Sequence, residues 1–304
     1  LMLLMLFIVA CTEETAEVDN LMRQEQYVIV RMNIPGMTAT ATRAADGVIT
    51  SVTVLSFNSS DQLLDVKTVN TINNVNANYG NFNLTVPNGT QTIHFLANLP
   101  LNYSNEQTYV DFLKAKKGQS QVDVMTSLTT DDFNNLCYWG MTTTWDGNTN
   151  PLNVTLYRNL AKISIKPSET DPEFNQFTQD QLKMTGFYMP NERGALIPNN
   201  NGAFDFDMNS NYCTIPQDVS SANYQLWDFT SMYAFEHENT DSNPTYIICK
   251  IGDYHYKVAL ADNEGNRYPI IRNHEYIIYV SDVDDYSQDD NYRADAYDKA
   301  FDKL

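Results

Sequence analysis

Short runs of alternating apolar and polar residues, broken repeatedly by clusters of Asn, Asp, Ser, Gly and Pro, fill most of the chain. A period of two marks strands with one buried face. Tyr27-Val28-Ile29-Val30-Arg31-Met32-Asn33 predicts a first strand, ended by Pro35-Gly36. Residues 48–57 predict a second strand, Asn58-Ser59-Ser60-Asp61 a turn, and residues 62–69 the hairpin partner. Residues 82–86, the turn Pro87-Asn88-Gly89 and residues 92–97 predict another hairpin, because an Asn-Gly pair accepts the positive φ of a tight turn. Between Glu106 and Leu136 the spacing changes to three and four, at Tyr109, Val110, Phe112 and Leu113 and then Leu128, Phe133 and Leu136, which predicts short helices. Asp131-Asp132 reads there as an acidic helix N-terminus. Strands resume at 138–144, 152–156 and 161–165 around the turn Asp146-Gly147-Asn148, and again at 183–189, 245–250, 255–261 and 273–280. Antiparallel meanders of this spacing pack as sandwiches. A length of 304 residues suits two domains. The expectation is therefore an all-β chain of two tandem immunoglobulin- or transthyretin-like β-sandwich domains, 25–158 and 159–283, with short helical insertions in the first. Residues 284–304 form an acidic tail.

The first residues change the picture. Residues 1–10 are almost wholly apolar, too few to span a bilayer, and lead through Ile8-Val9-Ala10 to Cys11, as the apolar region of a signal peptide meets its cleavage site. The run resembles a bacterial lipobox, which implies a signal peptide over residues 1–11 and lipid on the thiol and amine of Cys11. Two signals of this kind hold a protein at a membrane. Residues 12–24 are polar and acidic and read as a tether. No basic stretch precedes Leu1, so a few residues are expected ahead of it.

Charge and chemistry mostly exclude. Thirty-eight Asp and Glu against nineteen Lys and Arg give a net charge of -19, spread along the chain, which leaves no basic footprint for nucleic acid. Cys137, Cys213 and Cys249 are odd in number, lack CxxC spacing and sit among apolar neighbours, so buried thiols are expected rather than a disulfide or metal framework. His94, His237, His255 and His274 are scattered without ligand spacing, and no nucleophile elbow or phosphate loop occurs, so neither metal, cofactor nor enzymatic activity is expected. Asp205-Phe206-Asp207 reads as loop carboxylates. The run Asp282 to Asp290 lacks the turn Gly and closing Glu of a calcium loop. Trp139, Trp145 and Trp227 read as core residues, with a sugar-stacking platform as the alternative.

Three stretches carry a family resemblance. The first joins the strand Tyr27 to Asn33, a Thr/Ala linker, Thr42-Arg43-Ala44 and the strand Ile49 to Phe57; the second is Asn153-Val154-Thr155-Leu156-Tyr157-Arg158-Asn159-Leu160-Ala161-Lys162-Ile163. The third runs from Tyr233-Ala234-Phe235-Glu236 through Thr245-Tyr246-Ile247-Ile248 to Arg272-Asn273-His274-Glu275-Tyr276 and its strand. Together they resemble the fimbrillin family of Bacteroidetes, the subunits of type V pili. The resemblance implies a surface lipoprotein of the outer membrane or fimbrium, with Glu13, Glu14 and Glu17 as an export signal. It implies a trypsin-like, Arg-specific protease that cuts between Arg43 and Ala44, freeing Tyr27, Val28, Ile29, Val30, Arg31, Met32 and Asn33 to be displaced. The partners it implies are other fimbrial subunits through strand exchange, the outer membrane through lipid on Cys11, and a host or bacterial surface ligand. Shaft subunits of the family continue past the Arg-Asn-His strand into an alternating donor strand, whereas here the residues after Val280 are rich in Asp. That departure favours an anchor or tip position over the shaft. The alternative function is a free-standing surface lipoprotein that binds glycans or host ligands.

Overall fold

The computed structural model describes residues 25–35, 49–76, 79–100, 102–104, 107–131, 136–143, 145–167, 177–191, 194–198, 204, 219–242, 244–262, 264–280 and 293–294. In chain order these form β1 (Glu25–Asn33), β2 (Val52–Phe57), β3 (Leu63–Val69), β4 (Asn73–Asn76), β5 (Tyr79–Pro87), β6 (Thr92–Ala97), β7 (Asn102–Ser104) and β8 (Gln107–Thr108). Helices α1 (Tyr109–Lys114) and α2 (Gln121–Thr126) follow, then β9 (Thr129–Thr130), β10 (Tyr138–Thr142), β11 (Leu152–Thr155), β12 (Tyr157–Arg158) and β13 (Leu160–Pro167). The remaining strands are β14 (Leu182–Asn191), β15 (Gly194–Ala195), β16 (Val219–Phe229), β17 (Ser231–Phe235), β18 (Tyr246–Ile251), β19 (Tyr254–Ala259), β20 (Glu275–Val280) and β21 (Arg293–Ala294). The chain divides into two compact units, one of residues up to Val124 with Gly140–Leu156, the other of Met125–Trp139 with the residues from Tyr157 onward.

The first unit packs a sheet of order β11-β1-β5-β4 on a sheet of order β10-β6-β2-β3. Alternation does the work in β1 and β5, where every second residue is buried: Val28, Val30 and Met32 on β1, Phe82, Leu84 and Val86 on β5. The rings of Phe82 and Phe95 meet edge to face at 6.4 Å, which locates the core between the two sheets. By contrast β2 and β6 are buried at every position. Their second face carries His94, whose Nε2 lies 2.9 Å from the Gln121 amide of α2, so the helical insertion covers this side.

Two sequence expectations are corrected here. Residues 82–86 and 92–97 are not hairpin partners: β5 and β6 belong to opposite sheets. The Asn-Gly turn does form, with Gly89 at φ +83 and Thr90 N donating to Pro87 O at 3.3 Å, but Gln91 N then donates to Phe57 O, which hands the chain across the core to pair with β2. Asp131 follows β9, and from Asp132 onward the helix start read at Asp131-Asp132 falls on residues outside those described. Helix α1 is capped by Thr108, whose Oγ1 accepts from Asp111 N at 3.1 Å, and α2 by Ser120, whose Oγ accepts from Asp123 N at 3.2 Å. The second strand begins at Val52 rather than at 48, since Thr50 N is taken by the side chain of Asn98 at 2.8 Å, a residue held at φ +54.

The second unit packs β17-β13-β20 on β16-β14-β18-β19-β21. Strand β13 is central and runs antiparallel to β17 and parallel to β20. Its Leu160, Ile163 and Ile165 share one apolar core with Leu182 and Met184 of β14 and Ile247, Cys249 and Ile251 of β18. Tyr138 and Trp139 of β10 pair with β12 in this unit. The described residues are thus mostly strand, arranged in packed sheets, and the all-β expectation holds.

Candidate strand-exchange site

The strand that the resemblance marks for displacement sits inside a sheet. Strand β1 pairs antiparallel with β5 over nine positions, from Glu25↔Pro87 to Asn33↔Tyr79, and parallel with β11 from Val30↔Leu152 to Asn33↔Thr155. Parallel pairing to a strand more than a hundred residues away requires a long return of the chain, and Leu156 N donates to Asn33 O at 2.8 Å where the two strands part. Val28, Val30 and Met32 are fully buried, and Ile34 is 2% exposed, while Tyr27 is 54% and Ile29 37% exposed on the opposite face. The chemical meaning is plain. Removal of β1 would leave two rows of backbone donors and acceptors on β5 and β11, along a groove flanked by buried side chains of these two strands such as Leu84 and Val154. Burial of the four apolar side chains is worth at most roughly 6–12 kcal/mol at about 1.5–3 kcal/mol each. That is the size of a whole domain's net stability, so the groove will not stand empty.

The other candidate residues fall as follows. Cys11, Arg43, Ala44, Cys213 and the run Asp282 to Asp290 lie outside the described residues. Cys137 and Cys249 are buried thiols, and burial pushes the Cys249 thiol up to about 12, so it behaves as core. Trp139 and Trp145 are 3% and 4% exposed, so neither offers a face to a sugar; Trp227 belongs to β16, and its side chain lies outside the described residues. Of the histidines, His94 and His237 are held neutral by burial, at about 3 and about 4. The Nδ1 of His237 bonds the Phe235 carbonyl at 2.8 Å, and its Nε2 lies 2.5 Å from Thr245 Oγ1. Among the described residues no group of three or more His, Cys, Asp or Glu is placed to hold a metal.

The Arg-Asn-His-x-Tyr pattern organises the second unit. Arg272 Nε donates to Glu236 Oε2 at 2.6 Å with both side chains 1% exposed, and its Nη1 and Nη2 donate to the carbonyls of Leu196 and Ala195 at 3.1 Å. Asn273, at φ +60, accepts through Oδ1 from Arg158 N and Arg158 Nη1. Lys162 N donates to the His274 carbonyl, and Tyr276 donates its hydroxyl to Pro269 O at 2.6 Å. Burial raises the Tyr276 hydroxyl above its ordinary value. These residues tie β13 and β20 to the loops around them, which is a structural role. Spacing alone could not show that Glu236 completes the set.

No family model and no curated protein matches the sequence. Solved structures do. A fimbrial assembly protein from Parabacteroides distasonis is similar over 84% of this chain and 91% of its own, with a TM-score of 0.57 at 14% identity. The tip fimbrial protein Mfa3 from Porphyromonas gingivalis, with a C-terminal truncation, is similar over 86% of this chain and 96% of its own, with a TM-score of 0.53 at 16% identity. The chain therefore has the β-sandwich fold of fimbrial proteins.

Proposed function

We propose that the protein is a fimbrillin-type subunit or adhesin of the bacterial surface, and that it assembles by exchange of β1 for a strand of another subunit. One observation carries this reading: β1 is a central strand with Val28, Val30 and Met32 fully buried, and the connection from it to β2 contains a single basic residue, Arg43. A protease specific for Arg that cuts between Arg43 and Ala44 severs β1 from everything after it. Because the vacated groove costs several kcal/mol, the cut alone does not release the strand. An incoming strand must take up the same backbone bonds and the same pockets. Partners are then other fimbrial subunits, and lipid on Cys11 holds the unprocessed chain at the outer membrane. Fold likeness to a tip fimbrial protein, with the Asp-rich sequence after Val280, supports a place at an end of the fibre. The burial of Trp139 and Trp145 weighs against the glycan-binding alternative.

The test is treatment of the purified chain with an Arg-specific protease in the presence of fimbrial subunits, read by intact mass and by size-exclusion chromatography. A new N-terminus at Ala44, loss of the β1 fragment and growth of oligomers are expected, with Arg43→Ala abolishing all three. A cut chain that keeps β1 and stays monomeric with every subunit offered would overturn the reading.

A further inference from the structure

The two halves of β1 are not held alike. Val30 to Asn33 pair with β11 on one side and β5 on the other, whereas among the described residues Glu25 to Ile29 pair with β5 alone. Beside this half runs the loop of residues 145–150. Asn150 Oδ1 accepts from Ile29 N at 3.1 Å, which satisfies a backbone donor that β11 begins too late to reach. Three residues earlier, Gly147 at φ +74 passes so near Gln26 that a Cβ there would stand 2.7 Å from Gln26 Nε2. The loop has a fixed shape of its own. Asp146 Oδ1 accepts from the backbone N–H groups of Asn148 and Thr149 at 2.9 Å, and those bonds hold its carboxyl below the usual carboxylate range. The buried Trp145 donates its indole N–H to Thr149 O at 3.2 Å, and its backbone N–H to Gln91 O at 2.8 Å.

We propose that residues 145–150 form a latch over the N-terminal half of β1, with Asn150 as the positioning residue that sets how readily this strand leaves its groove. The latch acts as a substitute for the missing length of β11: it closes the ladder on that side with a side-chain amide, which one rotation about χ1 can withdraw, where a strand neighbour would have to be peeled away. Exchange that starts at this end therefore meets one ladder and one amide, and exchange that starts at Asn33 meets two ladders. The consequence for assembly rests on the strand-exchange reading above; the latch itself does not.

Native-state hydrogen exchange of the full chain, read by mass spectrometry on peptides covering β1, β2 and β6, tests it. Loss of one such hydrogen bond corresponds to a factor of about five. Asn150→Ala is expected to raise exchange in the Glu25 to Ile29 half of β1 by about fivefold and to leave β2 and β6 unchanged. Asn150→Asp keeps an Oδ acceptor and restores protection. Equal protection of β1 in wild type and Asn150→Ala, or a loss shared equally by β2 and β6, overturns the latch. In a second measurement the same proteins, cut after Arg43, are mixed with a labelled synthetic peptide of residues 25–35. Faster uptake by Asn150→Ala supports the latch and the exchange reading together. Uptake by neither, with the hydrogen-exchange difference intact, keeps the latch and counts against strand exchange.

Discussion

Arg272 and Glu236 show what single residues do here. Each is 1% exposed, and the guanidinium reaches one carboxylate and two carbonyls at once. A buried pair of this kind adds little over an apolar pair of equal volume, but breaking it is costly, because one charge is left without its partner. Arg272→Ala should lower the unfolding free energy of the second unit by about 3–5 kcal/mol in urea titration. The joint change Arg272→Met with Glu236→Leu should cost clearly less than Arg272→Ala, and Arg272→Lys should not rescue, since an ammonium cannot span the three acceptors. A joint variant no better than the single one would rule out this account. Gly194 is a second such position. A Cβ there would stand 2.3 Å from the Phe235 ring, so Gly194→Ala should cost about 1–3 kcal/mol through forced repacking. The sequence offered no sign of either partner: Arg272 and Glu236 are 36 residues apart, Asn150 and Ile29 121. Patterns along a chain reveal that a residue type is unusual, but not what it will meet.

At the scale of elements, alternation was a good guide to strands and a poor guide to their neighbours. Residues 27–33 announced a strand buried on one face, and β1 is one. Nothing in them shows that it lies between β5 and β11, because a strand's own pattern is the same at an edge and in the middle of a sheet. Turn chemistry has the same limit. Pro87-Asn88-Gly89 specifies a reversal, yet the carbonyl of Phe57 rather than that of Pro87 receives Gln91 N, so the reversal crosses between sheets. The helix starts obey another rule, which the spacing of apolar residues did not reveal: Thr or Ser followed three residues later by Asp, at Thr108-Asp111 and Ser120-Asp123. Each hydroxyl accepts one of the first-turn N–H groups that no helical carbonyl can reach. Thr108→Ala should therefore cost about 1 kcal/mol and raise amide exchange in α1 before it does so in β6. Unchanged α1 exchange would mean that packing of Tyr109 and Leu113 holds the helix without its cap.

For the molecule as a whole, two effects of acid oppose each other. Lowering the pH reduces the net charge of -19 and with it the self-repulsion of the chain, which favours the compact state. It also protonates histidines in the unfolded chain that stay neutral when folded. One such residue lies in each unit, His94 held at about 3 and His237 at about 4 against an ordinary 6.5. A base whose folded value is lowered binds more protons unfolded than folded between the two values, so its contribution to stability is complete above about 6.5 and is lost as the pH falls toward the folded value. Between pH 7.5 and 5.5 carboxylates with values near 4 hardly titrate, and the charge effect is small. The histidines win in that window. Each unit should lose about 1.4 kcal/mol of unfolding free energy over it. The partly exposed His255, shifted in the same direction by desolvation and by Lys250, adds less. Urea titrations at pH 7.5 and 5.5 should show the loss in the wild type, a smaller loss in the first unit for His94→Gln, and a smaller loss in the second for His237→Gln. Because the groups are buried, the slope should persist in added salt, which screens charges at the surface. A pH dependence that vanished in salt, or that neither substitution altered, would assign it to the acidic surface instead.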